Sequence, residues 1–203
     1  ISTDKAADPT SVLGYTKRIT ERLTAATADG ADGVFLSVRF GNVLGSRGSV
    51  LTTFRAQVES GGPITVTHPE VTRFFMTTEE AVELVIQAGA IGRDGEALVL
   101  DMGSPVRIAD VARRLSANAE RRVEIVFTGL RPGEKLHESV FGGGEVDRRP
   151  FHPLISHVAV PPLGPEDVRA AFAGHDNREA GALVGTLARL CVPTEGGSVR
   201  FRS

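Results

Sequence analysis

An α/β fold with parallel pairing is predicted by two features of the sequence: helix-period stretches alternate with short apolar runs, and glycine closes several of those runs. A strand covered by helices on both faces meets no water on either side, so it reads as a continuous apolar run. The first residues, Ile1-Ser2-Thr3, read as the end of a strand. Asp8 or Thr10 can cap the helix that follows, with Pro9 in its first turn. Val12, Thr16, Ile19 and Leu23 then share one face until Asp29-Gly30. Residues 34–40 read as a buried strand ending at Gly41-Asn42, and 45–48 as a glycine-rich loop. A helix follows over 50–59, stopped by Gly61-Gly62-Pro63, and then a short strand over 64–67.

The next helix starts at Thr78, with Glu80 and Glu83 outward and Ala81, Leu84, Val85 and Ala88 inward. Residues 97–102 read as a buried strand, 108–117 as a helix, 124–128 as a strand and 132–140 as a short helix. Beyond Phe141, the glycines at 142–144, then Pro150 and Val160-Pro161-Pro162, read as an irregular connection in which no chemistry is expected. Two helices complete the chain, over 165–173 and 176–190, the second with Asp176 and Glu179 at capping-box spacing. The tail from Thr194 is expected to fray.

The chain has 203 residues, 41% of them hydrophobic and 24% charged, and a net charge of -2, which gives no broad attraction for nucleic acid or an anionic membrane. Cys191 is the only cysteine, so no internal disulfide forms. No Cys/His spacing suits zinc, and no metal site is expected; a reducing cytoplasm is the expected compartment. No run approaches the roughly 20 apolar residues of a membrane span, and no leader is visible. Ile1 is not an initiator, and no G-x-G-x-x-G turn occurs. The chain is therefore expected to start within a domain whose pyrophosphate-binding turn lies upstream.

Ser2-Thr3-Asp4-Lys5 places hydroxyl, carboxyl and amine groups together at the carboxyl end of a strand, where open α/β sheets bind ligands. The same residues also suit a polar turn that caps a strand and a helix. Lys17 lies one helical turn beyond Leu13 on the same face. Arg73 and Arg131 can clamp phosphate oxygens through two hydrogen bonds each, and Ser49 and Val50 open a helix behind Gly48, a geometry that suits an anion. Arg47 suits a phosphate contact or a solvated surface equally. His68 and His137 read as structural.

Ser2-Thr3-Asp4-Lys5-Ala6, Pro9-Thr10, Gly14 and Thr16-Lys17-Arg18 resemble the catalytic segment of the CapD-type polysaccharide-biosynthesis family. Its members are nucleoside-diphosphate-sugar 4,6-dehydratases and epimerases of the extended short-chain dehydrogenase class. The resemblance continues through the block from Arg39 to Val50, the block from Ile64 to Met76, and Arg131-Pro132-Gly133-Glu134-Lys135-Leu136-His137-Glu138, and so spans residues 1–141.

It implies the C-terminal part of such an enzyme: a remnant of the Rossmann-type parallel sheet with a smaller α/β substrate-binding subdomain. The spans expected are 1–45 for the end of the NAD(P)-binding domain, 46–141 for nucleotide-sugar binding and 142–203 for the connection and last helices. The resemblance assigns Thr3 to the sugar 4-hydroxyl, Asp4 to general acid at the 6-hydroxyl, Lys5 to removal of the C5 proton and Lys17 to the nicotinamide ribose. Lys17 and Arg39 would meet NAD or NADP. Asn42, Ser49, Val50, Arg73, Arg131 and Glu134 would meet a UDP-sugar, with UDP-N-acetylglucosamine the implied substrate.

Leu13 stands where a short-chain dehydrogenase carries tyrosine, and the lone tyrosine, Tyr15, falls on the opposite side of that helix. Asp4 beside Lys5 favours a dehydratase. An epimerase remains open, and Leu13 with the absent cofactor half leaves open a non-catalytic nucleotide-sugar-binding module. The full-length protein is expected to be a cytoplasmic homo-oligomer, and some relatives carry membrane helices ahead of the dinucleotide domain. The 203-residue chain alone is expected to turn over no substrate and to associate through an exposed sheet edge.

Overall fold

Strand β1 (Ser37–Arg39) pairs in parallel with β6 (Glu96–Leu100), which pairs antiparallel with β9 (Ile155–Ala159), giving the order β1-β6-β9. This computed structural model describes residues 1–46, 48–173 and 180–193. They form two compact units drawn from interleaved stretches, where the sequence suggests three consecutive spans. One unit takes Ile1–Phe40, Leu84–Asp101 and the described part of Ser139–Ser203, and the other takes Gly41–Glu83 and Met102–Glu138. The interleaving follows from pairing, because β1 finds its neighbour in β6, far along the chain.

In the first unit, α1 (Val12–Ala28) is capped by Ser11, whose side chain accepts from Gly14 N at 3.2 Å, in place of Asp8 or Thr10. Its buried face also departs from the apolar pattern. Val12 and Thr16 are exposed, while Gly14, Arg18, Ile19, Glu21, Arg22 and Ala25 are buried. Ala25 packs with Ala97, Val99, Val158 and Val160 in the core of this unit. Strand β1 is shorter than 34–40: Val34 is exposed, and Phe35 turns away to bond Asp94 through its N–H at 2.8 Å and Gly95 through its carbonyl at 2.9 Å.

Strand β9 replaces part of the irregular connection expected after Phe141. Further on, α5 (Pro165–Phe172) and α6 (Ala180–Cys191) appear near their expected positions, while Asp176, Glu179 and the tail from Thr194 lie outside the described residues. Arg22 donates to the carbonyls of Leu190 and Val192 at 2.5 and 3.0 Å and to those of Pro161 and Pro162 at 3.0 and 3.2 Å. It thus satisfies acceptors at the end of α6 that the helix itself leaves open. Burial pushes the Cys191 thiol up to about 11. Iodoacetamide at pH 8 is therefore expected to leave Cys191 unmodified in the folded protein and to alkylate it in urea; equal labelling rates in the two states would refute this.

The second unit contains α2 (Val50–Glu59), β3 (Ile64–Val66), α4 (Ile108–Ala117) and β8 (Ile125–Phe127), with β3 and β8 parallel. Phe54, Ile64, Val66, Val71, Ile108, Ala112 and Val123 make its core. The α2 cap is Ser49, which accepts from Thr52 N. Helix α3 (Thr78–Ile91) opens on a reciprocal cap: Thr77 Oγ1 accepts from Glu80 N at 3.2 Å, and Glu80 Oε2 accepts from Thr77 N at 2.7 Å.

Short pairs complete the unit, β2 (Asn42–Val43) with β5 (Phe75–Met76) and β4 (Thr72–Arg73) with β7 (Val106–Arg107). The helix expected over 132–140 is absent. That segment gives its hydrogen bonds to β4 instead, with Leu136 O accepting from Thr72 N at 3.0 Å and from Arg73 Nη1 at 3.3 Å. No helix among the described residues is long and apolar enough to cross a membrane.

Candidate active site

Residues 1–3 run along β1 and lead into Asp4. Ser2 N donates to Val38 O at 2.7 Å and Asp4 N to Phe40 O at 3.0 Å, so the segment bonds to β1 by two backbone hydrogen bonds, a short ladder in place of the full strand expected. The chain then tightens into a 3-10 turn, Asp4–Ala6, placing three functional groups in a few ångströms. Thr3 Oγ1 donates to Asp4 Oδ1 at 2.9 Å, and Lys5 Nζ donates to the same oxygen at 3.0 Å. Asp4 is fully buried, and its Oδ2 has no hydrogen-bond partner in the structure. A buried carboxyl oxygen without a donor costs free energy, so this atom marks acceptor or proton-holding capacity that the chain itself leaves unused.

The turn is held by close backbone approach. A Cβ on Gly14 would lie 2.7 Å from Lys5 O, and one on Gly142 would lie 2.1 Å from Ala7 O, so any side chain at either position would push the turn away. Lys17 Nζ donates to Ile1 O at 3.3 Å, leaving an ammonium with further donors near the start of the segment. Leu13 is exposed. Tyr15 is half-buried, and its carbonyl accepts from Cys191 Sγ at 3.5 Å.

Arg39 does not have the donors expected for a cofactor. It is fully buried, with Nε bonded to Glu21 Oε1 at 3.1 Å, Nη2 to Glu21 Oε2 at 2.8 Å and to Glu145 Oε1 at 3.3 Å, and Nη1 to Glu145 Oε2 at 2.7 Å and Val140 O at 3.0 Å. A guanidinium has five N–H groups, and these five contacts use its fork within the chain. Burial would lower the Arg39 pKa, but the hydrogen bonds and charges of Glu21 and then Glu145 outweigh it and hold Arg39 above its ordinary range. Burial likewise works to raise Glu145, yet Arg39, Gly142 N and Arg18 hold its carboxyl below the ordinary value. Arg18 Nη1 completes the cluster, bonding Glu21 at 3.2 Å and Glu145 at 2.9 Å. Sequence reading missed Ser2, Arg18, Glu21 and Glu145 as a group; the available signal was three ionisable residues at i, i+3 and i+4 on one helix face, which usually means a solvated face.

The remaining expected residues belong to the second unit. Glu134 Oε1 accepts from Thr67 Oγ1 at 2.9 Å and Arg73 Nη2 at 3.0 Å, while its Oε2 accepts from Arg131 N at 3.2 Å. Arg73 is therefore held in place, and the Arg131 side chain is exposed. Asn42 lies in β2, Ser49 caps α2 and Val50 begins it. His137 Nδ1 shares a hydrogen bond with Thr72 Oγ1 at 2.9 Å, and His68 Nδ1 accepts from Glu70 N at 3.1 Å, both within the fold. Arg47 lies outside the described residues.

Residues 1–160 match the family described as polysaccharide biosynthesis protein. The capsular polysaccharide biosynthesis protein CapD of Staphylococcus aureus is 55% identical over 150 residues, covering 72% of this chain and 25% of that protein. The UDP-glucose 4-epimerase of Rickettsia massiliae is 37% identical over 150 residues, covering 72% of this chain and 43% of the epimerase. The chain thus spans about a quarter to under half the length of these relatives. The solved structure of Pen from Bacillus thuringiensis superposes with a TM-score of 0.71 at 32% identity, over 80% of this chain and 52% of the other. More distant solved chains, among them NAD-bound sugar-nucleotide dehydratases and epimerases, share the fold alone. The fold is the α/β fold of the extended short-chain dehydrogenase class, of whose solved chains it covers only a part. The chain belongs to the polysaccharide biosynthesis protein family.

Proposed function

We propose that the protein carrying this chain is a nucleotide-sugar 4,6-dehydratase acting on UDP-N-acetylglucosamine for surface-glycan synthesis, with Asp4 and Lys5 as its acid–base pair. One observation carries this reading: Asp4 Oδ1 gathers Thr3 and Lys5, while the buried Oδ2 has no partner. A proton on Oδ2 meets no competing acceptor in the chain and can pass to the departing C6 hydroxyl, which leaves as water. The amine of Lys5, about a quarter exposed, takes the proton from C5. Thr3 Oγ1 lies beside them, where a sugar 4-hydroxyl can be met.

NAD or NADP would supply hydride-transfer chemistry at C4. Lys17 fits the nicotinamide ribose, because its ammonium retains donors beyond its bond to Ile1 O. Arg39 does not fit any part of the cofactor, since its donors are consumed. For the nucleotide, Arg131 presents an exposed guanidinium suited to the diphosphate. Glu134 orients Arg73 and keeps acceptor capacity on Oε2 for a ribose hydroxyl, with Asn42, Ser49 and Val50 as further substrate contacts.

Epimerisation at C4 is the second reading, favoured by the Rickettsia massiliae UDP-glucose 4-epimerase at 37% identity. Proton NMR of the full-length protein with NAD and UDP-N-acetylglucosamine separates the two. A new C6 methyl signal beside a 4-keto sugar is the expected result. An epimer with its hydroxymethyl intact would replace the first reading with the second, and binding without conversion would remove both. The 203-residue chain tested alone is expected to give no product, because it has no G-x-G-x-x-G turn for the cofactor's pyrophosphate. Turnover by this chain alone would refute that expectation.

A further inference from the structure

We propose that Ser2, anchored by the buried Glu21 carboxylate, is a positioning residue for the Thr3-Asp4-Lys5 turn; this rests on the acid–base reading above. Ser2 Oγ donates to Glu21 Oε1 at 2.5 Å, and both residues are buried. The acceptor is itself fixed. Arg39 grips both Glu21 oxygens, Arg18 holds one of them, and Glu145 binds Arg39 and Arg18 from the other side. A hydroxyl on a carboxylate is among the stronger and more directional hydrogen bonds.

Stability alone gives little reason for this arrangement. Well-packed apolar residues can replace a buried charge cluster with no loss and often with a gain, so four buried charges, one of which holds Ser2, point to geometry as what they secure. Ser2 is the last residue before the functional turn, and its backbone bond to Val38 O, with that of Asp4 to Phe40 O, restrains the main chain only at the edge of the unit's hydrogen-bonded strands. The side-chain anchor adds a second restraint, through Glu21 on α1. Gly14 against Lys5 O and Gly142 against Ala7 O fix the following residues, so segment 2–7 is held at its beginning, middle and end. An acid and a base acting on adjacent carbons of one sugar require this, since displacements of about 1 Å can cost a hundredfold in rate.

The test compares wild type, Ser2→Ala and Ser2→Thr in the full-length protein. It measures kcat and KM for UDP-N-acetylglucosamine with NAD, together with hydrogen exchange at the amides of Asp4 and Val99. Ser2→Ala leaves Glu21 its two arginine partners, so the fold is retained. The variant is expected to speed exchange at Asp4 about tenfold with Val99 unchanged. Its kcat is expected to fall at least about tenfold with KM shifted by less than about twofold, and Ser2→Thr restores both readouts. Unchanged exchange at Asp4 in Ser2→Ala overturns the proposal, as does equal acceleration at Asp4 and Val99, which would mean general loosening. Should wild type give no turnover, the dehydratase reading fails by itself and the exchange comparison still decides the role of Ser2.

Discussion

Arg39→Met is expected to destabilise the protein by about 3–5 kcal/mol, measured as a fall in free energy of unfolding in urea. The substitution removes the cation that binds both Glu21 and Glu145, leaving two buried carboxylates with Arg18 as their remaining cation. The cost arises from stranded charge. Adding Glu21→Gln and Glu145→Gln to Arg39→Met should therefore recover part of the loss, and a single-variant loss below about 1 kcal/mol would rule this out. The pH dependence has a defined sign. The folded-state pKa of Glu145 lies below its ordinary value of 4.5, so its contribution is complete above that pH and drains as pH falls through the lower folded value. The urea midpoint of the wild type should drop below pH 4.5, and this Glu145 component should be smaller in Arg39→Met, where only Gly142 N and Arg18 still hold the carboxyl down.

The second large effect is expected at Asp4. Asp4→Asn keeps the volume and an acceptor for Thr3 and Lys5 but removes the transferable proton, so kcat should fall about 10²- to 10⁴-fold in the full-length protein. Lys5→Ala should lower kcat comparably while affecting binding less. Progress curves and equilibrium binding of UDP separate these effects. An Asp4→Asn protein retaining kcat within about tenfold would mean that the proton reaches the leaving hydroxyl from another group.

Much of the framework was legible because local punctuation agrees with global packing. Helices α2 and α4 start and stop where the sequence places them: a serine cap and a Gly61-Gly62-Pro63 stop bound the first, and a clear apolar face marks the second. The turn at Thr3-Asp4-Lys5 was legible for a similar reason, since a polar cluster at a strand end has few places to go. Strand β9 was hidden between the glycines at 142–144 and Pro161-Pro162, whose turn signals mask a five-residue run. The false helix over 132–140 came from Pro132 and Glu134 matching a first-turn pattern, whereas Glu134 spends its carboxylate on Thr67, Arg73 and Arg131 N. The Arg39 cluster was illegible for a deeper reason. Charge on a helix face reads as solvated unless its partners are known, and Glu145 comes from a segment more than a hundred residues away in sequence.

That separation carries a consequence for synthesis. Arg39 and Glu145 lie 106 residues apart, so at ribosomal speeds of about 5–20 residues per second the arginine waits about 5–20 seconds for its second carboxylate. During that interval Glu21 is the cluster carboxylate already made. A nascent chain stalled just before residue 145 would hold all the described residues of the second unit and still lack Glu145 in the cluster of the first. The buried cluster around Arg39 is thus completed by a glutamate translated well after its other members.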